Sequence, residues 1–245
     1  MLNESNLSIQ HYSEDLISKK RTTTLLEILV AFLPLIILGI VGTILGGATL
    51  IGGATIYFGY LFSILVASVA MKRNGTGWRE IGMARPKSWP RTVLLGFGTA
   101  AAALLMILVL TTIATNLPGT EVAEADISRF NPLEGNLPLL IISVVLAWTA
   151  VAFGEEMIYR AFLINQLGTL FQSKRLRWTL SLIFSSIFFG LVHFYQGPLG
   201  IVLTGLTGLL FGLIYLKSNR NLWAIIIAHG LIDTFTFVLV FLGMA

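Results

Sequence analysis

The sequence predicts an all-helical bundle of about seven membrane spans, or eight if one segment is re-entrant or broken, with a cytosolic N-terminus. Of its 245 residues, 56% are hydrophobic and only 11% are charged, whereas soluble domains carry about 25% charged residues. Apolar runs of about 20 residues, the length that crosses a bilayer as a helix, recur between short polar loops. The length suits a single bundle rather than two domains.

The expected organisation follows from these runs. Residues 1–23 are polar and end in three consecutive basic residues, so we expect a cytosolic tail there. Residues 24–245 then form a single transmembrane domain. Its expected spans cover about residues 25–46, 50–71, 92–115, 137–167, 179–194, 199–216 and 222–242.

The basic residues support this orientation. With the N-terminus in the cytosol, the cytosolic loops hold six, three and two Lys or Arg residues, and the opposite side holds Arg129 alone. The net charge of +4 is therefore a topology signal, and we expect no nucleic-acid partner. The chain has no cysteine, which excludes disulfides, thiolate metal sites and a cysteine nucleophile.

The fourth apolar run ends in an unusual charged motif, Gly-Glu-Glu-Met-Ile-Tyr-Arg, which occupies residues 154–160. Charges within a membrane segment are expensive and mark a functional site by default. Glu156 and Arg160 have the spacing and order of a helical ion pair, which predicts structural support. Glu155 points about 100° away around the helix and has no such partner in its own turn. We therefore expect Glu155 to act as a general base toward a water molecule.

Two further motifs place polar groups of the catalytic kind inside apolar runs. Phe189 and His193 share one face of the fifth expected span, and His229 and Asp233 share one face of the seventh. Together with Glu155, both histidines and Asp233 are the candidate catalytic residues, and Phe189 is a supporting residue.

These residues are compatible with two kinds of chemistry. In the first, Glu155 and His193 activate water while His229 and Asp233 stabilise the oxyanion, with Asp233 either protonated or orienting His229. In the second, Glu155, His193 and His229 bind Zn²⁺ and leave one position open for water.

The motifs Glu-Glu-x-x-x-Arg, Phe-x-x-x-His and His-x-x-x-Asn/Asp, in this order on separate helices, resemble the CAAX-protease and bacteriocin-processing (CPBP) family. This family includes Rce1-like type II prenyl-protein proteases and bacterial Abi proteins, and it is often labelled a metalloprotease family. The resemblance covers roughly residues 137–233. It implies that Glu155 and His193 activate water and that His229 and Asp233 form the oxyanion site. Many family members have Asn where this chain has Asp233.

The resemblance implies an intramembrane endopeptidase with a catalytic core over residues 137–242. We expect it to cleave a peptide or protein tail in a polar cavity between the fourth, fifth and seventh spans, in a bacterial plasma membrane. A prenylated substrate is expected only in a eukaryote. The alternatives are a non-catalytic immunity factor, a transporter that binds through the same cavity, and a pseudoprotease. The sequence lacks the inverted repeats that are typical of transporters.

Overall fold

The computed structural model describes residues 4–45, 50–117 and 128–244, and all regular elements within these ranges are helical. The all-helical prediction is therefore confirmed. Three short helical turns, Arg79–Met83, Ser128–Leu133 and Phe194–Gln196, lie between the long helices. The long helices are α1 (Glu4–Leu45), α2 (Leu50–Arg73), α3 (Trp89–Asn116), α4 (Leu137–Thr169), α5 (Lys174–Leu191), α6 (Gly197–Lys217) and α7 (Leu222–Phe241).

Six segments of the described residues are long and apolar enough to cross a membrane, where the sequence predicted seven. They lie in every long helix except α5. That helix has 18 residues and begins with three cations, Lys174, Arg175 and Arg177, so it is less apolar than the predicted fifth span. The first helix, α1, begins at Glu4 within the predicted tail and continues into the first span. Residues 4–33 contain neither glycine nor proline, so no strong helix breaker separates the polar segment from the apolar one.

Helix α4, which carries the Glu-Glu motif, is not a regular α-helix. It is π-helical over Ala147–Ala152 and again over Glu156–Leu163, with a short α-helical segment between them. All eight residues of the second π-helical segment are buried. Such π-helical turns within α-helices are frequent at functional sites. Glu155 and Glu156 thus lie where the helix changes its winding.

Glycines let two neighbouring helices lie very close to α4. A Cβ atom on Gly154 of α4 would lie 2.8 Å from the Cβ and Cγ atoms of Tyr60 on α2. A Cβ atom on Gly230 of α7 would lie 2.6 Å from the Trp148 ring on α4. Small residues of this kind allow the close contact that associates helices in a membrane, where hydrophobic burial between them contributes little. Both contacts lie next to the charged motifs.

The packing of α3 on α7 gives a direct test of this fold. A Cβ atom on Gly96 would lie 2.6 Å from Ile227 Cγ2, whereas one on Gly98 of the same helix would meet nothing within 4 Å. We expect Gly96→Leu to lower the free energy of unfolding by about 1–3 kcal/mol through overpacking, and Gly98→Leu to leave it nearly unchanged. Reversible unfolding in mixed micelles measures both values. Equal losses for the two variants would contradict the described contact between α3 and α7.

Candidate active site

A buried charged cluster joins α4 to α7. Glu156 Oε1 lies 2.9 Å from Arg160 Nη1 and 2.7 Å from His229 Nδ1. Glu156 is fully buried, Arg160 is 1% exposed and His229 is 9% exposed. Because an ionised carboxylate can only accept hydrogen bonds, both nitrogens donate to Glu156. The ion pair expected from the spacing is present, and it also binds the His229 ring, which the spacing did not indicate.

Aromatic rings surround the Arg160 guanidinium. Its Cζ atom lies 4.0 Å from the centroid of the Phe189 ring and 5.4 Å from that of the Phe211 ring. A Cβ atom on Gly208 would lie 3.3 Å from Arg160 Nη2, so α6 also lies against this side chain. A cation over an aromatic face is stabilised by the ring quadrupole, and more strongly in a desolvated place. Phe189 therefore supports the charged cluster through Arg160.

Glu155 lies on the opposite side of the His229 ring. Its Oε1 atom accepts a hydrogen bond from the Tyr60 hydroxyl at 2.7 Å. Its Oε2 atom lies 3.8 Å from His229 Nε2 and has no hydrogen-bond partner among the described residues. The adjacent carboxylates of Glu155 and Glu156 thus face the two different nitrogens of one imidazole. Glu155 Oε2, Glu156 Oε2 and Asp233 Oδ2 are buried carboxylate oxygens that have no hydrogen-bond partner among the described residues.

Asp233 lies one turn beyond His229 on α7. Its Oδ1 atom is 3.7 Å from His229 Nε2, which is an ion-pair distance but too long for a hydrogen bond. Glu156, rather than Asp233, therefore orients the imidazole in this geometry. Asp233 instead places a second carboxylate beside Glu155 on the Nε2 side of the ring.

His193 lies just outside α5, because that helix ends at Leu191. Its Nδ1 atom is 2.7 Å from the Phe189 carbonyl oxygen, so Nδ1 carries the hydrogen and Nε2 is left with a lone pair. The Phe189 ring lies between the two histidine rings, 4.8 Å from His193 and 6.3 Å from His229 between centroids. The structure therefore brings all four predicted residues to one region, with His193 at its edge.

The zinc set of Glu155, His193 and His229 stays a prediction. Among the described residues, no three His, Cys, Asp or Glu side chains form a group that could hold a metal ion. The hydrogen bond of His229 Nδ1 to Glu156 leaves Nε2 as the ring nitrogen that could bind a metal.

Sequence reasoning missed two side chains that position this site. One is Tyr60, the partner of Glu155. The other is Trp148, whose Nε1 atom donates to Thr234 Oγ1 on α7 at 3.0 Å. Both rings lie against glycines that adjoin the motif residues, namely Gly154 and Gly230. These two glycines could have indicated such close neighbours from the sequence alone, because a glycine beside a charged residue in an apolar helix indicates a close neighbour on that face.

Comparison with known proteins gives one match. Residues 137–235 match the family model described as Type II CAAX prenyl endopeptidase Rce1-like. No curated protein and no solved structure matches this chain. The matched segment begins with α4 and ends just after Asp233, so it contains the four candidate catalytic residues. Tyr60 lies outside it.

The burial of the Glu156–Arg160 ion pair allows a prediction about the free energy of unfolding. Replacing Arg160 with Met leaves the Glu156 carboxylate in the bundle without its main counter-charge, a change that costs about 3–5 kcal/mol in comparable buried pairs. We expect Arg160→Met to lower the free energy of unfolding by that amount. Arg91→Met is the matched control, because Arg91 is exposed on α3 and such changes usually stay within about 0.5 kcal/mol. Steric-trapping measurements in bicelles would report both, and equal effects would contradict the role of Arg160.

Proposed function

Since residues 137–235 match the family model described as Type II CAAX prenyl endopeptidase Rce1-like, we propose that this chain is an intramembrane endopeptidase with Glu155 as its general base. One observation carries the assignment. Glu155 Oε2 is buried, has no hydrogen-bond partner among the described residues, and lies 3.8 Å from His229 Nε2. A general base must have an oxygen free to take the proton of a water. Glu156 Oε2 also has no hydrogen-bond partner among the described residues, but Glu156 is fully buried and its Oε1 atom is engaged by two donors. Because 5% of Glu155 is exposed, Glu155 is the carboxylate that a water reaches more easily.

The proposed reaction begins with a water held at Glu155 Oε2. The carboxylate takes one proton while the water oxygen attacks the scissile carbonyl carbon, which forms a tetrahedral intermediate. Glu155 then returns the proton to the amide nitrogen as the carbon–nitrogen bond breaks, so a carboxylic acid and an amine are released. His193, whose Nε2 atom carries a lone pair, is the second group proposed to orient the water.

The oxyanion that forms on the carbonyl oxygen requires donors aimed at it. His229 is oriented for this task, because Glu156 holds its Nδ1 atom and leaves Nε2 on the side of Glu155. A protonated Nε2 would present an N–H to the oxyanion. Low polarity around the cluster strengthens such an interaction relative to water. In this proposal Glu156 contributes to catalysis only by orienting the imidazole.

The substrate class follows from the depth of the site. Glu155 lies near the middle of the 33-residue helix α4, and only 5% of it is exposed. A scissile bond must therefore enter between helices as an extended segment, because a helix would keep its carbonyl groups hydrogen-bonded. We propose a flexible peptide or protein tail as the substrate.

The decisive test is the variant Glu155→Gln, which keeps the size of the side chain and removes the base. We expect cleavage to fall by at least about 100-fold, the lower range for general-base catalysis. The matched control is Glu80→Gln, because Glu80 is exposed in the loop between α2 and α3.

The measurement is comparative peptidomics of membranes and medium from cells that lack the protein or express matched amounts of wild type or either variant. New peptide termini should appear with the wild type and Glu80→Gln only. If Glu155→Gln yields the same peptides and phenotype as the wild type, the catalytic proposal fails. A non-catalytic immunity factor or a transporter would then be favoured.

Metal removal is a separate test. We expect purified protein to keep its peptidase activity after treatment with a strong chelator, because no metal-binding group of three side chains occurs in the described part of the chain. Metal content is measured by mass spectrometry on the same sample. Loss of activity together with one zinc per chain, and recovery when zinc is returned, would instead support the zinc alternative.

A further inference from the structure

The contact between Tyr60 and Glu155 joins two distant parts of the chain. Tyr60 lies on α2, 95 residues before Glu155, and its hydroxyl donates to Glu155 Oε1 at 2.7 Å. Tyr60 is 7% exposed and Glu155 is 5% exposed. A hydrogen bond to a charged group is stronger than one between neutral groups, and more so in a place that water does not reach. This is the only hydrogen bond that Glu155 receives from a side chain in the described residues.

We propose that Tyr60 is the positioning residue of the general base, an inference that rests on the function proposed above for Glu155. The hydroxyl engages Oε1, which leaves Oε2 as the free oxygen on the side of His229 Nε2. Without that bond, the flexible glutamate side chain would have several rotamers and either oxygen could face the imidazole. Tyr60 therefore acts through Glu155 and does not touch the substrate.

A second observation supports this role. The Tyr60 side chain packs directly over the backbone of Gly154. A Cβ atom on residue 154 would lie 2.8 Å from both Cβ and Cγ of Tyr60. The residue before the general base must therefore lack a side chain for the tyrosine to reach Oε1. The ring is fixed at its base by Gly154 and at its tip by Glu155.

The place of Tyr60 in the chain gives helix α2 a part in the proposed site. Tyr60 lies outside the matched segment of residues 137–235, so the site is completed by a helix that the family model does not include. Helix α2 then has a part in catalysis beyond anchoring the chain in the membrane. A fragment with the matched segment alone would hold Glu155 without its orienting donor.

The first test compares Tyr60→Phe with Tyr57→Phe. Both changes remove one hydroxyl from α2, but Tyr57 is 37% exposed and lies one turn away. We expect Tyr60→Phe to lower kcat roughly 10-fold to 100-fold, the range for a hydrogen bond to a charged group, with little change in KM. Tyr57→Phe should match the wild type in both constants. An unchanged kcat in Tyr60→Phe, or a rise in KM alone, would overturn the inference.

A second readout does not depend on activity. The infrared spectrum of the wild type minus that of Glu155→Gln isolates the carboxyl bands of Glu155. The same difference taken in the Tyr60→Phe background should show these bands shifted, because one carboxylate oxygen has lost its donor, and the Tyr57→Phe background should show no shift. Unshifted bands in Tyr60→Phe would overturn the inference. An inactive wild type would overturn the proposed function instead, so the two failures are distinguishable.

The variant Gly154→Ala gives an independent way to break the contact. Its new methyl group displaces the Tyr60 ring without changing either partner. We expect Gly154→Ala to reduce kcat to the level of Tyr60→Phe and the double variant to show no further loss, because both changes remove the same interaction. Additive losses in the double variant would contradict a shared role.

Discussion

The charges of Glu156, Arg160 and His229 constrain where α4 and α7 can lie. Removing an ion from water costs several kcal/mol even in relaxed protein interiors, and Glu156 is fully buried. The two donors on Glu156 Oε1 offset that cost only at hydrogen-bond distance, and one of them belongs to α7. This charged cluster therefore fixes the position of α7 along the axis of α4. Gly230, the residue after His229, packs against Trp148 of α4, and this contact agrees with the same position of α7 along α4.

The two adjacent glutamates have different surroundings although they are neighbours in sequence. Glu156 faces Arg160 and His229 Nδ1, whereas Glu155 faces Tyr60 and His229 Nε2. The change from α-helical to π-helical winding occurs between them. One carboxylate thus belongs to the structural cluster and orients the imidazole. The other keeps an oxygen free on the far side of the same ring, which is the arrangement that the proposed chemistry requires.

The sequence predicted those features that depend on local spacing. The starts of α2 and α7 at Leu50 and Leu222 agree with the predicted spans, because long apolar runs define them. The start of α5 at Lys174 was not predicted, since cations in a first turn resemble a loop. The contacts of Glu155 with Tyr60 and of His229 with Glu156 join residues 95 and 73 positions apart. Neither contact follows from a regular spacing of residues along one helix, so the sequence alone does not indicate it.

The carboxylate of Asp233 stands where the motif of the resembled family has Asn or Asp, and the geometry around His229 shows what this carboxylate is placed to do. Three carboxylate groups lie within 3.8 Å of the His229 ring nitrogens: Glu156 at Nδ1, and Glu155 and Asp233 at Nε2. Glu155 and Asp233 therefore lie on the side of the ring that faces the proposed reaction. An imidazolium donates from both nitrogens. In the proposed mechanism His229 Nε2–H is the oxyanion donor, so a carboxylate at position 233 in place of an asparagine amide does not remove that donor.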